Sequence, residues 1–169
     1  MELDEWNEFQ DHRAYFERQG SNICTTVRQA SFDEPYWSTN GIEFYVIGPH
    51  QRLVESETRE LHDASLVILA NMGNRSCLFA GDASDILLRQ IASTTTGFCS
   101  DILHASHHGS LHGADLEFIK KCNAQYTVIS TASGVYDSVP HPTALDRYRE
   151  HTKKRVYRTD VDGTLRWCF

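Results

Sequence analysis

The sequence predicts a mixed α/β domain. Three observations carry that expectation: a strand-like run Ile42-Glu43-Phe44-Tyr45-Val46-Ile47 closed by Gly48-Pro49, a hairpin signal at Asn71-Met72-Gly73-Asn74, and a later alternation of short apolar runs with helix-like segments. At 169 residues the chain is one domain, long enough to bury a core. Residues 1–40 read as an N-terminal helix and an irregular lead-in, and residues 41–169 as the body.

Taken in order, residues 2–19 place Leu3, Trp6, Phe9, Ala14, Tyr15 and Phe16 at roughly helical spacing, with Gly20 as a stop. Ile23 to Ala30 reads as a strand and Phe32 to Asn40 as turn. Residues 50–64 are polar, a loop or a short helix. Ser65 to Ala70 and Ser76 to Ala80 form the arms of the hairpin. Ala83 to Ala92 is expected to be a helix with Ile86, Leu87 and Ile91 inward. Strand 101–105 leads to helix 113–122, and strand Tyr126–Ser130 to helix 143–151. A last hairpin is expected to turn at Asp160-Val161-Asp162-Gly163.

Composition narrows the function classes. The net charge of −7 disfavours a bulk nucleic-acid binder, although residues 1–20 are acidic and residues 146–158 are rich in Arg and Lys. No stretch approaches the roughly 18 apolar residues of a membrane span, and the acidic N-terminus is unlike a signal peptide. A cytoplasmic protein without membrane contact is expected. Cys24, Cys77, Cys99, Cys122 and Cys168 form no Cys-x-x-Cys and read as reduced thiols with no metal role.

Chemistry concentrates at the ends of the predicted strands. Gly81-Asp82 follows one apolar run and His107-His108-Gly109-Ser110 follows another, so a carboxylate and imidazoles can converge on one spot. Aspartate oxygen and histidine nitrogen suit zinc, manganese or iron. His62 and His141 lie in loops of the same kind. Each residue has a plainer reading: Asp82 as the N-cap of the helix after it, His141 as loop packing between Pro140 and Pro142, the others as surface loop. His12, His50, His104, His112 and His151 are read as structural or surface positions.

As a set, His62-Asp63-Ala64-Ser65-Leu66-Val67-Ile68, Cys77-Leu78-Phe79-Ala80-Gly81-Asp82-Ala83, His107-His108-Gly109-Ser110, Pro140-His141-Pro142 and Tyr157-Arg158-Thr159-Asp160-Val161-Asp162-Gly163 resemble the metallo-β-lactamase superfamily. More narrowly, they are similar to the hydrolase domain of ComEC-type DNA-uptake proteins. The resemblance implies a partial αββα sandwich and two divalent metals, zinc or manganese. It assigns Asp82 as the bridging carboxylate, His108 as ligand, His107 as ligand or substrate contact, and His62 as a further ligand. His141 would approach substrate or leaving group, and Ser110 would line the substrate site. The implied activity is a phosphodiesterase or nuclease.

The family's His-x-His-x-Asp-His motif is absent. Its nearest trace, Asn7-Glu8-Phe9-Gln10-Asp11-His12, has Asn and Phe where two histidines belong. The chain therefore resembles the C-terminal part of the fold. A protein partner or self-association is expected to complete it, with nucleic acid as the expected substrate. The alternatives are a catalytically inactive subunit kept for assembly, or a small-ester hydrolase.

Overall fold

The computed structural model describes residues 3–20, 26–57, 60–98, 101–134 and 138–168. One seven-stranded sheet organises them, with strands in the order of the chain. The strands are β1 (Trp37–Thr39), β2 (Ile42–Gly48), β3 (Val67–Met72), β4 (Arg75–Phe79), β5 (Ile102–His104), β6 (Tyr126–Ile129) and β7 (Arg155–Arg158). β1 to β4 form an antiparallel meander, and β4 to β7 run parallel. Parallel neighbours require crossovers, and helices supply them. These are α3 (Asp85–Thr94), α4 (Leu116–Cys122) and α5 (Pro142–His151). The remaining helices are α1 (Leu3–Arg18), the one-turn α2 (Gln51–Val54) and α6 (Thr159–Asp162).

Strand register sorts side chains between two faces. Leu69, Leu78 and Leu103 are cross-strand partners and share one face. With Ile47, Val67 and Ile129 they form a single core against Leu87, Leu88 and Ile91 of α3, Phe118 and Ile119 of α4, and Leu145 and Tyr148 of α5. The other face carries Phe44, Ile68, Cys77, Phe79, His104, Val128 and Tyr157. Phe79 is 45 % exposed there, and its neighbours Ile68, Cys77 and Val128 are half-buried. Cys77 is still shielded enough that burial, aided by Cys122, pushes its thiol up to about 12.

Several elements differ from the sequence reading. Among the described residues of the expected strand Ile23–Ala30, positions 26–30 are irregular, and 21–25 lie outside the described residues, as do Cys24 and Cys99. The expected turn Phe32–Asn40 contains β1, joined to β2 by Asn40-Gly41 with both φ positive (51° and 77°), the geometry of a tight hairpin. In α3, Ile86 is 51 % exposed and Leu88 is buried in its place. Ile86, Leu87 and Leu88 are consecutive, and a helix turns about 100° per residue, so all three cannot face one core. The last hairpin does not form. Asp162 accepts from the Arg158 backbone N–H at 2.9 Å and closes the one-turn α6 instead.

No helix of the described residues is long and apolar enough to cross a membrane.

Candidate metal centre at the strand ends

The carboxyl ends of β4, β5 and β6 lie side by side, next to the start of the antiparallel β3. The loops leaving those ends carry Asp82, His107 to Ser110, and His141, and the loop entering β3 carries His62. In sheets with parallel strands this edge is where ligands bind.

Backbone hydrogen bonds stitch the four loops together. The His107 N–H donates to the Gly81 carbonyl at 3.0 Å, the Ser84 N–H to the His62 carbonyl at 3.2 Å, and the His141 N–H to the Gly109 carbonyl at 2.9 Å. Small hydroxyls brace the same junction. Ser65 Oγ accepts from the Asp82 N–H at 3.0 Å, and Ser106 Oγ donates to the Ala83 carbonyl at 2.7 Å. Gly81 is required by this packing: at φ 55°, a Cβ there would lie 2.7 Å from Ser65 Oγ. Gly109, at φ 80°, would likewise drive a Cβ to 2.8 Å from Pro140.

His107 and His108 hold left-handed conformations, with φ of 48° and 55°. Two consecutive non-glycine residues of this kind are costly and persist only where surrounding contacts enforce them, a situation concentrated at functional sites. The kink sends the two rings to different neighbours. His108 Nδ1 lies 2.8 Å from the Ser130 carbonyl, which makes it the protonated nitrogen, and Nε2 lies 3.8 Å from Asp82 Oδ1. His107 turns to His62, with ring centroids 4.3 Å apart.

The Asp82–His108 geometry fits two ligands of one ion. Donors about 2.0–2.2 Å from a tetrahedral metal stand roughly 3.4 Å apart, a little closer than the observed pair. A backbone carbonyl holding Nδ1–H is the usual device for presenting Nε2 to a metal. The side chains of Asp82 and His108 are 52 % and 43 % exposed, so a third group can reach them. Among the described residues no three His, Cys, Asp or Glu side chains come together as a complete ligand set.

The N-cap reading of Asp82 is corrected. Ser84 caps α3, its Oγ accepting from the Leu87 N–H at 3.1 Å and contacting the buried carboxylate of Asp63. Asp82 is thereby left outside the helix, facing solvent and His108. His141 caps α5, its Nδ1 accepting from the Thr143 N–H at 3.2 Å. That nitrogen is committed to the fold. Ser110 Oγ and His107 Nδ1 are buried without a hydrogen-bond partner in this arrangement.

Two histidines set aside by the sequence reading stand close to the centre. His104, at the end of β5, feels both His108 and Asp82, and burial holds its ring below the ordinary value of 6.5. His107 is held below 6.5 by burial and by His62, with His112 adding a smaller push in the same direction. The signal for His104 was its place at the last position of a strand. Ser65, Ser84, Ser106 and Ser130 were also missed, because a serine near a strand end carries no signature of its own.

The Asp82–His108 pair is open to solvent. A cavity of about 180 Å³ lies elsewhere, between Phe32, Tyr45, Leu69 and Phe98. The chain matches no protein-family model and no curated protein sequence.

Proposed function

We propose that this chain is the C-terminal part of a metal-dependent hydrolase of the metallo-β-lactamase superfamily, similar to the ComEC-type branch, and that it acts as a phosphodiesterase or nuclease. The observation that carries the reading is the opposed Asp82–His108 pair, held by Ser65 and Ser130 at the open strand ends. Asp82 and His108 would hold a zinc or manganese ion there, with His62 or His107 contributing to a second position, and the ion would supply Lewis acidity to a hydrolytic reaction.

The chain's own residues have defined tasks in that scheme. Asp82 and His108 position the divalent cation. His107, whose ring burial and the neighbouring His62 hold below its ordinary value, stands beside His62 as a ligand or substrate contact. Ser110, in the same loop, is assigned to the substrate side of the site. His141, fixed by its cap bond, approaches the leaving group as general acid. The half-exposure of Asp82 and His108 leaves the pair within reach of a polymeric phosphodiester. The remaining ligands come from a partner chain or from a segment outside this one.

The second reading, a catalytically inactive subunit, is favoured by the apolar sheet face around the 45 %-exposed Phe79. Hydrolysis of bis(p-nitrophenyl) phosphate and of an oligonucleotide by the chain purified with its bound proteins separates the two. The hydrolase reading expects turnover restored by zinc or manganese and reduced about a hundredfold or more by Asp82→Ala. Intact partner binding with no metal-dependent turnover supports the assembly reading.

A further inference from the structure

Charge is divided between two distant parts of the chain. α1 carries Asp4, Glu5, Glu8, Asp11 and Glu17 against Arg13 and Arg18, whereas residues 146–158 carry Arg147, Arg149, Lys153, Lys154, Arg155 and Arg158 against Asp146 and Glu150. Glu8, Asp11, Tyr15 and Phe16 are exposed, and their spacing puts them on one side of α1. Tyr15 and Phe16 are each 52 % exposed, packed edge to face against each other. Among the described residues the ion pair of α1 is the internal Arg13–Glu17 contact at 3.1 Å.

The basic part ends in an edge strand. β7 pairs with β6 on one side and is the last strand of the sheet. Exposed Lys153, Lys154 and Arg155 lead into it. Lys154 Nζ stands 5.2 Å from the Tyr126 ring centroid and the Arg155 guanidinium 4.4 Å from that of Tyr157. Trp167 packs on both tyrosines at 6.4 and 5.6 Å. An edge of this kind is commonly covered by a helix or a loop.

We propose that the acidic, aromatic face of α1 covers the basic β7 edge of a second copy of this chain, reciprocally, in a two-fold dimer. Each copy carries both surfaces, so a closed pair satisfies both at once. Opposite charge steers the approach, and Tyr15 and Phe16 meet the aromatic group around Trp167. A nucleic-acid strand on the same edge would meet Asp160 and Asp162 beside the arginines, in a chain of net charge −7. The dimer is independent of catalysis at Asp82.

Sedimentation equilibrium of the full chain tests this. The expected result is a dimer whose dissociation constant rises about tenfold or more as salt is raised from about 0.05 to about 0.5 M. The double reversal Lys153→Glu/Lys154→Glu should be monomeric, and adding Glu8→Lys/Asp11→Lys to the same chain should restore the dimer. Circular dichroism confirms folding, and Lys154→Gln provides a milder variant with a smaller shift in the same direction. A monomer at every salt concentration overturns the proposal, as does a dimer that survives the double reversal. Salt-sensitive oligonucleotide binding by a monomeric wild type, lost in Lys153→Glu/Lys154→Glu, would assign the edge to nucleic acid and overturn it as well.

Discussion

The two faces of the sheet obey one alternation of side chains and meet different surroundings. Leu78 and Leu103 point to the helices and are 0 % and 1 % exposed, whereas Phe79, the next residue along β4, is 45 % exposed on the opposite face. An apolar side chain stabilises the fold only in proportion to the area it removes from water. The difference teaches that helices of this chain cover the first face, whereas the second leaves Phe79 in water among buried and half-buried neighbours.

The largest expected effect breaks that contrast directly. Leu103→Ala should cost about 2–5 kcal/mol in urea denaturation, because it opens a cavity under α3 and α4. Phe79→Ser should change the isolated chain by about 0.5 kcal/mol or less and should instead weaken capture of whatever covers that face. Equal costs for the two would show that the second face is already covered.

A smaller effect sharpens the same contrast at the site. Ser84→Ala removes the α3 cap and leaves the buried Asp63 carboxylate without its hydroxyl partner. A loss of about 1–3 kcal/mol is expected. Asp82→Ala, outside the helix and half-exposed, should cost about 0.5 kcal/mol or less. The reverse order in thermal unfolding would restore Asp82 as the cap.

The smallest effect is pH-dependent. His104 and His107 are held neutral below 6.5, mainly by burial, so the unfolded chain binds protons more readily than the folded one. Their contribution is fully present above pH 6.5 and is lost as pH falls from there toward their depressed folded values. His104→Gln should flatten the fall of unfolding free energy below pH 6.5. An unchanged slope would remove His104 from this account.

Much of the fold was legible because local signals agreed with the tertiary outcome. The strand at Ile42, the hairpin around Gly73 and the helix after Ser84 each combine periodicity with turn or cap residues. β1 was hidden by turn formers, although Asn40-Gly41 was a hairpin signal in plain view. The C-terminal turn was misread because Asp160 and Asp162 serve Arg158 and Arg155 across a short distance, which periodicity does not register. At the site, the sequence supplied Asp82 and the histidines. It did not supply the left-handed kink that sends His107 toward His62 and His108 toward Asp82, which depends on Gly109 packing against Pro140.

The most direct test is calorimetric titration of zinc into the full chain and into Asp82→Ala and His108→Gln. Saturable uptake by the wild type is expected, weakened about tenfold or more by either substitution, with the fold retained. Absence of uptake by a folded wild type, or uptake indifferent to both substitutions, would contradict it.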